Sequence, residues 1–429
     1  MAVSAGVIVV GGGVAGLVAA RELGRRGRDV VLLEARERLG GRTWTSTFAG
    51  VEVELGGAYV HWVQPHLWAE LTRYGLDVVS LADAGRAFLR TDDGPVELSP
   101  GSFLELQAAF ARVCEGAETI VPRPMELPDG EAALGADRSS TAERLAEVDL
   151  DPRERDFVDA LCAGMSSATN ARTSFLSIVR ALALAGYEPH RLAEVNGRWV
   201  IRGGTRALLD AIAGDVPGEV RIGSPVEAIV REDARVTVTV DGRELSASAA
   251  VVAVPLNALG QIRFEPELSG AKRDAVAEGL TSAGVKVWAK LAGTYPSVIA
   301  AAPDRFPLSF VETHGAAADG STLVVGFGPS AERLPLADPA AVARAIEDLL
   351  PGASVEEVGG HDWVGDPFAR ETWATYGPGT WLRWMPELAE PDGRIAFAGS
   401  DLAIGGLGYI DGAIESGLRA AREVGAIVR

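Results

Sequence analysis

Apolar positions open the chain as an unbroken run, Val7-Ile8-Val9-Val10, which gives way to Gly11-Gly-Gly13-Val-Ala-Gly16 and then to small and apolar residues through Leu23. The run predicts a buried strand; Val14, Leu17, Val18 and Leu23 among alanines predict a helix packed on a sheet, and Gly27 stops it. A second strand is predicted over Asp29 to Leu33, ending in Glu34, and Val51 to Glu54 alternates as a third. From 102 to 186 the periodicity is helical. Ser102 to Glu118 is amphipathic, Val121 to Asp137 reads as a loop carrying Pro122, Pro124 and Pro128, and Ser174 to Ala185 is an apolar helix closed by Gly186. Between them, Ser140-x-x-Glu143 is a capping box and Asp151-Pro152 an N-cap followed by a first-turn proline.

Strand signals then return. Gly203-Gly204-Thr205 opens a helix, Ser224-Pro225-Val226 begins a strand, Val236 to Val240 pairs with the next strand through Asp241-Gly242, and Ala250 to Val254 is a further buried strand. Strands over Gly284–Leu291, Leu308–Glu312 and Thr322–Phe327, with a helix from Pro339 to Leu350, predict a sheet facing the helical stretch. Gly393 to Asp401 is a last strand ending in small residues and a carboxylate, and Gly408-Tyr409-Ile410 opens the final helix.

The first turn carries specific chemistry. Gly11 permits the tight turn, Gly13 lets backbone N–H groups reach a pyrophosphate, and Gly16 lets helix and strand pack closely. Glu34 lies 18 residues after Gly16, where a carboxylate would accept hydrogen bonds from a ribose diol. Alone the turn could be only a tight loop; strand, helix and acidic residue together predict an α/β, Rossmann-type dinucleotide-binding domain.

Composition narrows the rest. A chain of 429 residues with 47% hydrophobic and 23% charged residues is an ordinary globular protein of two or three domains. A net charge of −19 argues against nucleic acid or an anionic membrane as partner, and it would favour cationic small molecules or simply maintain solubility. Cys114 and Cys162 form no CxxC pair, and the five histidines have no metal-ligand spacing, so no disulfide framework and no metal are expected. With no basic stretch before the first apolar run and no apolar run of about 18 residues, a cytoplasmic location is expected.

The residues beyond the turn are more specific still. Glu34-Ala-Arg36 through Gly40-Gly41-Arg42, then Glu54-Leu-Gly-Gly57-Ala58-Tyr59-Val-His61, and the closing Gly399-Ser400-Asp401 and Gly408-Tyr409-Ile410 together resemble the flavin amine oxidases. Within that family they look nearest to the bacterial hydroxynicotine oxidases. The resemblance covers nearly the whole chain and is densest at both ends. It implies a discontinuous FAD-binding domain of the GR2-like type over 1–85, 195–260 and 375–429, with a mixed α+β substrate domain over 86–194 and 261–374. FAD would meet Gly11, Gly13, Gly16, Glu34, Arg36, Gly41, Arg42, Gly57, Ala58, Tyr59, Val226, Gly399, Ser400, Asp401, Tyr409 and Ile410. The implied partners are a small amine and O2; a homodimer is compatible with the sequence and not specified by it.

The resemblance also implies catalytic positions. Trp373 and Tyr409 would be the two aromatic rings flanking the substrate nitrogen, the alternative for Trp373 being a core or lid aromatic beside Trp381 and Trp384. Lys286 would be the strand lysine near the flavin, yet Lys286, Trp288 and Lys290 share one face, as on a solvated edge strand with protective lysines. His61 would contact substrate or merely satisfy a backbone carbonyl, and Arg36, Arg42 and Asp401 could be ordinary ion pairs. Two departures matter. Thr372 stands where the mitochondrial enzymes attach FAD through cysteine, so the flavin is expected to be noncovalent. Gly164 and Phe310 stand where hydroxynicotine oxidases present polar groups, so a more apolar amine is expected. The expected activity is oxidation of a primary or secondary amine to an imine, with O2 reduced to H2O2. Alternatives are a flavin enzyme acting on C–C bonds and a flavin-binding protein without turnover.

Overall fold

Val3–Val10 runs through the middle of a sheet, parallel to Arg243–Val252 on one side and to Val30–Leu33 on the other. The structure, a computed structural model, describes residues 3–268 and 270–428. Eight strands form this sheet in the order Arg263–Glu265, Val226–Arg231, Val236–Val240, Arg243–Val252, Val3–Val10, Val30–Leu33, Glu219–Arg221, with Ile395–Phe397 added against the end of Arg243–Val252. Val7, Ile8 and Val9 have no solvent exposure, as an apolar run covered on both faces requires. Helices Val14–Arg25 and Ile410–Ile427 lie together on one face, so close that a Cβ on Gly417 would come within 2.5 Å of the Ala15 carbonyl oxygen.

A second sheet has the order Val355–Gly360, Val285–Leu291, Thr322–Gly328, Phe310–Ala316, Val298–Ala301, Arg86–Thr91, Gly94–Leu98. The hairpin 86–98 precedes the helical stretch and the other strands come after it. The sheet therefore closes around that insertion, and helix Pro152–Ser166 packs on strands Arg86–Thr91, Val298–Ala301 and Thr322–Gly328. Both predicted caps form: Ser140 with Glu143, and Asp151 with Glu154, each exchange the reciprocal hydrogen bonds of a capping box.

Several expectations change. The strand after Asp241-Gly242 and the one over Ala250 to Val254 are a single strand, Arg243–Val252, because nothing between them breaks the extended chain. Its first half pairs with Val236–Val240 and its end with Ile395–Phe397. The expected loop 121–137 is irregular only through its prolines, and beyond Pro128 the segment Gly130–Arg138 is helical. Ser102–Glu118 is split in two, Pro100–Val113 and Ala117–Ile120, at Gly116, whose φ of +85° no helix continues through. Arg263–Glu265 joins the first sheet, past the expected boundary at 260. Among the described residues no helix is long and apolar enough to cross a membrane.

Candidate active site

Between the two sheets lies a cavity of about 640 Å³ that reaches from the first glycine turn to the inserted helices. At one end the turn has the close backbone packing expected at Gly11 and Gly16. A Cβ on Gly11 (φ +101°) would stand 2.4 Å from the Ala253 carbonyl oxygen, and one on Gly16 would stand 1.9 Å from the Gly11 carbonyl oxygen. Gly16 thus acts by packing and does not line the cavity. Gly13 does line it, and a Cβ there would meet only Gly41 Cα, at 3.8 Å. Gly13 also caps helix Val14–Arg25 without any side-chain hydrogen bond, so amides at the positive end of the helix dipole are available to a phosphate.

Glu34 is buried, with one oxygen accepting from the Gly12 amide (2.6 Å) and the other from the Arg36 amide (2.8 Å). Each oxygen keeps lone-pair capacity for a sugar hydroxyl. Arg36 and Val226 line the cavity nearby, and Arg36 is paired with Asp366 at 2.8 Å.

Arg42 bridges the middle of the site. Its guanidinium donates to Glu371 (2.7 Å), to both oxygens of Asp401 (2.7 and 2.9 Å) and to the Thr372 carbonyl (2.9 Å). Asp401, expected to face the cofactor, instead lies behind the wall, where it also accepts from the Leu256 amide. Its neighbour Arg42 and these donors hold its carboxyl below the ordinary range despite burial, while Glu371, buried beside that negative charge, is pushed well above it. Gly41, Gly57, Ala58, Gly399, Ser400 and Ile410 line this stretch, and Tyr409 caps the final helix with no side-chain bond, leaving a second uncapped N-terminus at the cavity. A long cavity with two such termini and a buried carboxylate that keeps lone pairs free has room and partners for a dinucleotide.

At the far end Lys286 is buried, and its Nζ donates to the Gly56 carbonyl at 2.9 Å. Strand Val285–Leu291 has neighbours on both sides, which rules out the edge-strand reading; Lys290 alone reaches charged partners, Asp319 (2.7 Å) and Glu356 (2.9 Å). Burial pushes the Lys286 ammonium down to about 8, with Glu54 and Glu312 opposing the shift.

Trp373 lines the cavity edge-on to Phe327, with centroids 6.2 Å apart, and donates its indole N–H to the Met165 carbonyl. Tyr409 lines it too, its hydroxyl donating to Asn196 at 2.7 Å. Their segments meet where Gly408 rests on Ala374, leaving no room for a larger residue without a 3.4 Å contact. Gly164 and Phe310 face each other, a Cβ on Gly164 lying 3.8 Å from that of Phe310.

His61 is not brought to the cavity. Its buried ring stacks on Trp62 at 3.8 Å, accepts from the Val63 amide and lies 3.8 Å from Glu194, and burial holds it below the ordinary histidine value. A cavity-wall residue that the sequence motifs do not reveal is Glu312, which accepts a 2.7 Å hydrogen bond from Tyr59. Its signal is alternation: Phe310 and Glu312 share one face of a strand whose partners are apolar. His66, Asp411 and Glu415 bring ligand-type atoms together, but their oxygens serve the Leu67 amide and the amides of Ile404, Gly405 and Gly406.

A family model for flavin-containing amine oxidoreductases matches residues 14–425. The chain belongs to this family. Among relatives of this amine oxidoreductase, the nicotine dehydrogenase of Pseudomonas putida is 38% identical over 423 residues, covering 97% of this chain and 88% of that protein. The (S)-6-hydroxynicotine oxidase of Paenarthrobacter nicotinovorans is 32% identical over 422 residues, covering 95% and 96%. A solved structure of a redesigned putrescine oxidase has the same fold, with a TM-score of 0.85 at 22% identity over 99% of each chain. The amine oxidoreductase is thus a flavin-dependent enzyme acting on C–N bonds.

Proposed function

We infer that the protein is an FAD-dependent oxidase of a small, largely apolar primary or secondary amine, yielding an imine and passing electrons to O2 to give H2O2. The observation that carries this reading is the aromatic wall of Trp373, Tyr409 and Phe327 in one cavity with a buried lysine. When bound, the flavin supplies a two-electron acceptor for hydride from the carbon next to nitrogen. The protein's own groups do the rest. The rings keep bulk water out and offer π-faces to a nitrogen gaining cationic character. Dry, apolar surroundings favour the neutral amine, whose lone pair must be free. Lys286 places a positive charge where it would stabilise charge developing on the cofactor or on oxygen.

Gly164 against Phe310 leaves no polar partner at those two positions for a hydroxypyridine, which supports a more apolar substrate. FAD would be held noncovalently: among the described residues no cysteine or histidine lines the cavity, and the Thr372 hydroxyl is bonded to Ser167 at 2.6 Å. The flavin would rest on the parts 1–85, 195–260 and 375–429.

The test is an anaerobic absorption spectrum before and after a panel of amines, with a final acid precipitation. Bleaching by one amine, recovery in air and release of FAD into the acid supernatant are expected. A protein that stays yellow with every amine overturns the reading in favour of C–C chemistry or flavin binding without turnover. The name of the Pseudomonas relative, a dehydrogenase, favours a second reading in which the acceptor is not oxygen; an amine-bleached protein that stays bleached in air would establish it.

A further inference from the structure

Glu312 is a carboxylate set among the aromatic side chains of the cavity wall, and its two oxygens are unequal. Oε1 accepts the Tyr59 hydroxyl at 2.7 Å; Oε2 has no donor among the described residues. The carboxylate stands in the same group of side chains as Phe327, which touches Trp373 on one side (6.2 Å) and Tyr59 (6.5 Å) and Phe310 (6.2 Å) on the others. Lys286 Nζ lies 5.6 Å from the Phe327 ring and 6.0 Å from that of Tyr59, and makes its hydrogen bond to Gly56 rather than to Glu312. A positioned, half-satisfied carboxylate at the edge of the expected amine pocket has the geometry of a proton acceptor.

We propose that Glu312 is the base that removes the proton from the substrate ammonium as it enters the cavity, with Tyr59 as the residue that positions it. The proposal rests on the amine-oxidation reading above. In the step, an N–H bond of R–NH3⁺ breaks and an O–H bond forms on Glu312 Oε2; the electron pair stays on nitrogen, and an ion pair of zero net charge becomes a neutral amine and a neutral acid. In water an ammonium would not surrender its proton to a carboxylate. In a dry cavity the neutral pair is favoured because neither charge is solvated.

The surrounding groups fit this role. Burial pushes Glu312 up to about 7, against the hydrogen bond from Tyr59 and the charge of Lys286, so it is mostly ionised and ready to accept just above neutrality. The charged and titratable groups facing it are Tyr59, Lys286 from strand Val285–Leu291, Glu54 behind that lysine, and His314 on its own strand, which burial and Lys286 hold down to about 4 and therefore uncharged. Strands Thr322–Gly328 and Val298–Ala301 set Val325 and Ile299 opposite it, with Phe327 opposite Phe310 two positions away, and none of these carries a charge.

The experiment counts protons without requiring turnover. A tertiary-alkyl primary amine has no hydrogen on the carbon next to nitrogen, so it binds and cannot be oxidised. Its binding to the holoenzyme is measured at pH 8 by calorimetry in buffers of different ionisation enthalpy. Wild type is expected to release no net proton, because the proton moves to Glu312; Glu312→Gln, which keeps the Tyr59 hydrogen bond, is expected to release one per amine bound. Release of one proton by wild type, or none by the variant, overturns the proposal. If Glu312→Gln does not fold, Glu312→Ala carries the same expectation. With an oxidisable amine, the rate of flavin bleaching by the variant is expected to fall about 100-fold at pH 7.5 and to recover tenfold per pH unit, since only free amine can then react; a loss that no pH restores also overturns it. If no amine bleaches even the wild type, the amine-oxidation reading has failed, whatever the proton count.

Discussion

Lys286 Nζ sits 2.9 Å from the carbonyl oxygen of Gly56, so a buried ammonium is tied to the loop that leads into Gly57 and Ala58 on the cavity wall. Lys286→Met removes that charge and keeps most of the volume. The expected outcome is reoxidation of the reduced flavin by oxygen slowed about 100-fold, with reduction by amine changed much less; equal effects on both half-reactions would remove the assigned role. The direction of the shift fixes the sign of the pH dependence. Burial lowers the ammonium from its ordinary 10.5 to about 8, so the charge is present below that value and is lost as pH rises through it. The oxygen step of wild type should therefore decline above about pH 8, and stopped-flow reoxidation in air-saturated buffers measures it.

Trp373 touches Phe327 and anchors its indole on Met165 of an inserted helix. Trp373→Ala should retain bound FAD and lose about 0.5–2 kcal/mol of aromatic stabilisation of the nitrogen, a two- to thirtyfold drop in the rate of bleaching by amine. An unchanged rate would take Trp373 out of the substrate site.

Arg42 donates to two buried carboxyl groups at once, offsetting the charge of Asp401 while Glu371 beside it is pushed toward its neutral form. Arg42→Met leaves them facing each other with no cation, a loss of about 3–5 kcal/mol by analogy with other broken buried pairs. Urea denaturation of the variant should show that loss, and its flavin should come off during gel filtration; a variant as stable as wild type would show that the carboxylates have another partner.

Two neighbouring glycines should fail differently. Gly16→Ala forces a Cβ to 1.9 Å from the Gly11 carbonyl, so the helix must move and the apoprotein itself should melt earlier. Gly13→Ala meets only Gly41 Cα at 3.8 Å and should leave the apoprotein stable while weakening FAD, because the new methyl group lies where the dinucleotide backbone must approach. Paired thermal melts of apo and FAD-loaded protein separate the two.

Local chemistry is legible in the sequence. Glu34 is legible because its strand, turn and helix are contiguous, and its bonds to Gly12 and Arg36 stay within that unit. The capping boxes at Ser140 and Asp151 are legible for the same reason. Lys286 is ambiguous from sequence: alternation gives the face of a strand but not its neighbours, and the strands at Thr322 and Val355 decide that it is interior. Glu312 stays hidden because its meaning comes from Tyr59, 253 residues away. His61 is misplaced because a motif gives the order of residues but not which rings turn inward, and here Tyr59 reaches the cavity while His61 packs under Trp62.

The seating of the last helix on the first has a consequence for biosynthesis. Gly417 against Ala15 and Ile395–Phe397 against Arg243–Val252 mean that the cradle begun by the first strand is closed by elements that lie far along the chain. A nascent chain is expected to retain the flavin only once helix Ile410–Ile427 has emerged from the ribosome. A stop placed within that helix should yield colourless protein, and cofactor supply should influence the yield of folded enzyme only after the helix has been made.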